Sequence, residues 1–103
     1  MLNITVSFKG KKVAADLNRE LDQTVRQISQ DYFDRVKAKT PVRSGRARKG
    51  WRLKKQRQFA YEVRNRVPYI GRLDEGYSKQ APRGMTRPAA REVLNQARRR
   101  YKR

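Results

Sequence analysis

The chain has 103 residues, one domain's worth, and only 36% of them are hydrophobic, so a single thin core is expected. Lys and Arg number 28 against 9 Asp and Glu; the net charge of +19 works against a free compact monomer and favours polyanionic partners, nucleic acid first, an acidic protein surface next, an anionic membrane third. With neither Cys nor His, disulfides, thiolate metal sites and the usual zinc constellations are excluded, and no apolar run approaches the ~20 residues that span a bilayer.

Residues 1–10 alternate polar and apolar side chains, unlike a signal peptide. The chain is therefore expected to be soluble and made in the cytoplasm, with no membrane partner. Leu2, Ile4, Val6 and Phe8 alternate with Asn3, Thr5 and Ser7, which predicts a half-buried strand ended by Gly10. A long helix is expected over 13–39. Val13, Leu17, Leu21, Val25, Ile28, Tyr32 and Val36 fall at spacings of three and four and form one apolar stripe. That stripe reads as a core-packing face on a small sheet, with a coiled-coil seam as the alternative. Thr40-Pro41 ends the helix, because a residue before proline avoids helical geometry.

Residues 40–45 read as a loop, and 46–67 as an antiparallel hairpin. Trp51 and Leu53 share one side of its first strand, with Arg52 and Lys54 on the other. Residues 55–58 carry the turn. Phe59, Tyr61, Val63 and Val67 mark the second strand, opposite Glu62, Arg64 and Arg66. One dry face and one basic face result. The stretch 69–88 is too rich in Gly and Pro for one regular element, yet it carries Tyr69, Ile70, Leu73, Tyr77 and Met85. A long connection with its own apolar anchors reads as a packed functional loop, here an assembly loop. Leu73 to Gly76 is expected to form a helical turn. A last helix over 88–98 starts near Pro88, and 99–103 reads as a frayed basic tail. The fold class is thus α+β in a single domain.

The charge is unevenly spread. Residues 43–66 hold ten basic and one acidic residue, and 87–103 hold seven and one. The stretch 67–86 is near neutral, with three and two. The hairpin and the tail are therefore expected to face the polyanion through Arg43, Arg46, Arg48, Lys49, Arg52, Lys54, Lys55, Arg57, Arg98, Arg99 and Arg100, contacting phosphates without reading sequence. Trp51 is able to stack on a base, but its place beside Leu53 favours a core role. The assembly loop is expected to hold subunits together through Tyr69, Leu73, Glu75, Gly76, Tyr77 and Met85.

Nothing in the pattern singles out a catalytic residue. Asp74 and Glu75 are the candidate acids, but a loop carboxylate paired with a nearby Arg is the plainer reading. Glu75, with Arg72, Lys79 and Arg83 around it, is expected to form the ion pair that fixes the loop, within its own subunit rather than to a neighbour. Ser44 and Ser78 have no histidine to activate them. Residues 45–50 contain two glycines but fit neither the phosphate loop nor the dinucleotide fingerprint.

Thr40-Pro41-Val42-Arg43-Ser44-Gly45-Arg46 after a long helix resembles a motif of small tailed-phage proteins. The residues downstream resemble them too: Tyr61, Val63 and Asn65 on a strand, the aromatic Tyr69, then Leu73-Asp74-Glu75-Gly76, Ser78 to Met85, and Arg87-Pro88-Ala89. The order and spacing over 13–97 are similar to those of neck or tail-completion proteins of the minor tail protein Z type. The resemblance implies an α+β fold, no enzymatic activity and no cofactor. It implies a virion role at the head–tail junction, in a ring of identical subunits with six- or twelve-fold symmetry. Its partners would be other neck, portal-side or tail proteins, with genome DNA in the channel. The chain departs from the pattern in charge: Arg43 stands where an acidic residue is frequent, and the C-terminus is unusually basic. A ring whose basic surface faces DNA or an acidic partner fits that departure. The alternative from another class is a standalone, sequence-nonspecific nucleic-acid-binding protein.

Overall fold

The computed structural model describes residues 2–8, 15–42, 45–76 and 81–101, with backbone alone at 15–17, 100 and 101. Its elements run β1 (Leu2–Ser7), α1 (Ala15–Lys39), α2 (Arg46–Lys49), β2 (Trp51–Arg57), β3 (Ala60–Asn65), α3 (Ile70–Asp74) and α4 (Thr86–Tyr101). The architecture is α+β as expected. A long helix packs on a three-stranded antiparallel sheet, and the C-terminal helix packs on that long helix.

The sheet order is β1-β3-β2, so the last strand in sequence is the central one. Ile4 and Leu53 both face Val63, while Leu2 and Trp51 both face Asn65. Opposed residues share a face. The period of two therefore puts Leu2, Ile4, Val6, Trp51, Leu53, Tyr61 and Val63 toward α1. Asn3, Thr5, Ser7, Arg52, Lys54, Glu62 and Arg64 lie on the other side.

α1 meets this apolar face with Val25, Tyr32 and Val36 buried and Leu21 and Ile28 half-buried. Val13 and the side chain of Leu17 lie outside the described residues. Ser29, which interrupts the stripe, is also buried. Its hydroxyl donates to the Val25 carbonyl at 2.7 Å, so the burial leaves no orphaned polar group. The tightest part of the core is Trp51, Val36, Val63, Ile70, Met85 and Ala89, from five elements and the residue just before α4.

Four boundaries differ from the sequence expectation. The hairpin begins at Trp51, because 46–49 form the short helix α2. Ala47 anchors that turn in the core, and its carbonyl accepts a hydrogen bond from the buried Asn65 amide at 2.8 Å. The Asn65 side-chain Oδ1 in turn accepts from the Val67 N–H at 2.9 Å. The α4 helix is longer than expected at both ends, and Pro88 stands inside its first turn. A missing N–H has no helical partner to lose there. The short helix of the 69–88 stretch starts earlier, at Ile70, and Gly76 at φ 93° follows it.

The hairpin turn is also tighter than 55–58. β2 continues to Arg57, with a register break between Lys55 and Arg57, and only Gln58 and Phe59 separate the strands. Phe59 has φ 64°, uncommon for a residue with a side chain. It is held by α1: its N–H donates to Asp22 Oδ1 at 3.0 Å. Lys55 Nζ and the Tyr61 hydroxyl donate to Asp22 Oδ2 at 2.9 and 3.2 Å. The Phe59 N–H, then Lys55, hold the Asp22 carboxyl below its usual range, against a smaller opposing effect of burial.

A depressed carboxylate pKa means stability that is present above the ordinary carboxylate range. It is lost as the pH falls through the folded-state value. We therefore expect acid unfolding, followed by Trp51 fluorescence, to begin below about pH 4. Asp22→Asn should flatten the stability profile in that window and leave its slope near neutrality unchanged.

Candidate functional site

The stretch 69–88 folds as α3, a return segment and the first turn of α4. Asp74 fixes it. Its Oδ1 accepts the backbone N–H of Met85 and of Thr86, both at 2.9 Å, and Oδ2 accepts the Thr86 hydroxyl at 2.6 Å. One carboxylate thus satisfies free N–H groups at the start of α4, where negative charge is also favoured. The expected ion pair of Glu75 is not seen among the described residues. Glu75 is exposed, and its neighbour Asp74 does the bracing. We expect Asp74→Ala to cost about 2 kcal/mol in chemical denaturation, the scale of a lost cap plus a second hydrogen bond. Glu75→Ala should stay within about 0.5 kcal/mol of the parent.

The other expected interface residues divide. Met85 has no exposure at all and belongs to the subunit's own core, so it is corrected from a contact residue to a packing residue. Tyr69 and Leu73 are half-buried against that core. The Arg46 guanidinium lies over the Tyr69 ring, 6.0 Å from its centroid. Gly76 is closely opposed by the chain itself: a Cβ there would come within 2.3 Å of the Pro82 carbonyl. Tyr77 lies outside the described residues. Among its described residues the stretch exposes Arg72, Glu75, Pro82, Arg83 and Arg87, with parts of Tyr69 and Leu73.

The expected polyanion residues also divide. Arg48 is turned inward, its guanidinium donating to the carbonyls of Ala38 and Thr40 at 3.1 and 3.0 Å. These carbonyls end α1 without helical partners, so the half-buried Arg48 cation closes that helix. Lys55 bridges to Asp22 on the α1 side of the sheet. Arg52 donates to the carbonyls of Lys49 and Trp51 but stays exposed. Lys49, Lys54, Arg57, Arg98 and Arg99 are exposed, as is Arg46. Arg43 and the side chain of Arg100 lie outside the described residues.

Arg52 and Lys54 point away from α1, whereas α4 packs on α1. Arg52 and Lys54 therefore lie on the opposite side of the sheet from the Arg98–Arg99 pair and form a separate patch, while Lys55 stays on the α1 side. Between α1 and α4, Glu92 takes Arg35 at 3.0 Å and Lys39 at 2.5 Å. The hydrogen bond from Lys39, then that from Arg35, lower the Glu92 pKa.

Residues that the sequence did not mark are Thr40 and Asn65 as buried joints. The Thr40 hydroxyl donates to the Val36 carbonyl at 2.7 Å and accepts the Trp51 indole N–H at 2.8 Å. Tyr32 has its hydroxyl 3.4 Å from the Thr86 carbonyl. Burial, with the Asp74 charge adding, pushes its pKa well above the usual phenol range. Among the described residues no group of three acidic side chains gathers as a metal site, and no helix is long and apolar enough to cross a membrane. Comparison with protein-family models, with curated proteins and with solved structures finds no match.

Proposed function

We propose that this chain is a structural virion component of a tailed bacteriophage, of the neck, head–tail joining or tail-completion type, working as an oligomeric ring and not as an enzyme. One observation carries the reading: the residues on which the resemblance rests serve as joints, not as reagents. Thr40 ties the end of α1 to Trp51, Asn65 ties β3 to α2, and Asp74 ties α3 to α4. Such joints support a shape-giving role. A charge of +19 supports a protein whose working state includes a polyanionic or acidic neighbour. The test is native mass spectrometry of the purified protein together with the protein content of virions. A closed oligomer and presence in particles are expected. A monomer at high concentration that is absent from virions would overturn the reading.

The exposed cations on the sheet's outer side favour a second reading, a sequence-nonspecific nucleic-acid-binding protein. It requires duplex DNA binding in isolation that weakens steeply with salt. The triple variant Arg52→Gln, Lys54→Gln, Arg57→Gln should then lower the salt slope by about 2–3 and leave the thermal midpoint nearly unchanged. An unaltered slope counts against this reading.

A further inference from the structure

The two edges of the sheet are built differently. The β2 edge carries Arg52, Lys54, Lys55 and Arg57 and a register break. These are the devices by which natural sheets block unwanted pairing. β1 has none of them. Leu2–Ser7 contains no charged side chain, keeps an unbroken register with β3, and has no described strand on its outer side. Among the described elements it alone lacks a charge.

Beside that open edge lies an apolar groove of about 290 Å³ between β1, α1 and α4. Ile4, Val6, Ile28, Val93 and Leu94 line it, no charged side chain among the described residues does, and Leu94 is 58% exposed. Unpaired backbone next to an apolar trough is the form of a strand-addition site. We propose that a second copy of this chain joins here, its own β1 laid antiparallel on the first about a two-fold axis normal to the sheet.

The charge argues for a copy over a foreign partner. A partner recruited by a +19 chain would be acidic, and among the described residues neither β1 nor the groove's own lining holds a cation to receive it, Arg91 and Arg98 lying on α4 outside that lining. A neutral strand rich in Ile, Val and Thr is matched by itself. A two-fold normal to the sheet keeps both α1 faces on the same side. Ile4 of one copy then stands beside Ile4 or Val6 of the other, and each Leu94 gains cover. Arg91 and Arg98 stand three residues before and four after Leu94 on α4, so like charges oppose the contact. Association should therefore strengthen as salt screens them, the reverse of binding to a polyanion.

The inference shares with the ring reading only the premise that the chain self-associates. Sedimentation equilibrium at low and high salt tests it, on the parent and on Thr5→Lys. Thr5 is exposed on the outer face, so the variant should keep its circular dichroism melt. We expect an even-numbered oligomer whose population rises with salt, and dissociation at least about tenfold easier in Thr5→Lys, where like charges meet across the axis. The Asn3→Cys, Thr5→Cys double variant of this cysteine-free chain should form a covalent dimer on oxidation. A parent oligomer that Thr5→Lys leaves intact, with no covalent dimer, overturns the edge contact and leaves the ring standing. A monomeric parent overturns both. Edge-dependent dimers in a protein absent from virions overturn the phage reading alone.

Discussion

Trp51→Ala is expected to cost about 4 kcal/mol, a large fraction of what a domain of this size has. Trp51 starts β2, is 1% exposed, and is the largest fully buried side chain. Its removal opens a cavity among residues from several elements, which have no common direction in which to collapse. It also removes the indole N–H that Thr40 accepts at 2.8 Å. The two effects separate by substitution. Trp51→Phe keeps most of the volume and should cost about 1–2 kcal/mol. Thr40→Val keeps the volume but leaves the indole N–H buried without an acceptor, for about 1–3 kcal/mol. Urea denaturation of the three variants is the measurement. A loss below about 1 kcal/mol for Trp51→Ala would show that the core does not converge on this residue.

Gly84→Ala is the second large effect, expected at about 3 kcal/mol or more. Gly84 has φ 79°, where a side chain strains the backbone. A Cβ there would lie 2.1 Å from the Asp74 carbonyl oxygen, and main chain cannot swing aside as a flexible side chain can. The displaced residue is the same Asp74 whose carboxylate caps α4, so strain and loss of the cap arrive together. Gly71 is the internal control. It is in α3, with nothing within 4 Å of a Cβ, and Gly71→Ala should be neutral or stabilising by up to about 1 kcal/mol. Equal melting temperatures for Gly84→Ala and the parent would remove the close packing of α3 on the return segment as a structural principle of this chain.

Much of the fold was legible because period carries it. Leu2, Ile4 and Val6 alternate and face α1; Val25, Ile28, Tyr32 and Val36 recur at helical spacing and face the sheet. The Thr40-Pro41 stop is a local steric effect, and α1 ends at Lys39. What was not legible depends on distant partners. The α2 helix has one buried residue, Ala47, so no period announces it within a run of cations. Gly45 and Gly50 at its two ends were the available signal. The tight turn at Phe59 is imposed by Asp22 on a helix far away in sequence, and no turn-forming residue advertises it.

The candidate site shows the same division. Reading 69–88 as a packed segment with apolar anchors agrees with the burial of Ile70 and Met85. Choosing between the adjacent carboxylates Asp74 and Glu75 required knowing which one meets the start of α4. The cations could be counted in the sequence, but their engagement could not. Arg48 and Arg52 look alike in a basic run, yet one is half-buried against the end of a helix and the other reaches solvent.

The strand order bears on the time at which this chain becomes a fold. β3 is central, and its two neighbours reach it by very different routes. β2 is one tight turn away, while Ser7 of β1 meets Ala60 only across the whole of α1 and the hairpin's first strand. Closing that long loop costs more chain entropy than closing the turn, so the hairpin forms locally and β1 docks late. On the ribosome β1 emerges first and has no sheet partner until β3 has been made. A strand that waits longest, joined by the longest connection, is also the one that a neighbouring copy can most readily supply in its place. With the proposed edge contact, the last strand to dock and the strand offered to a second copy would be the same six uncharged residues.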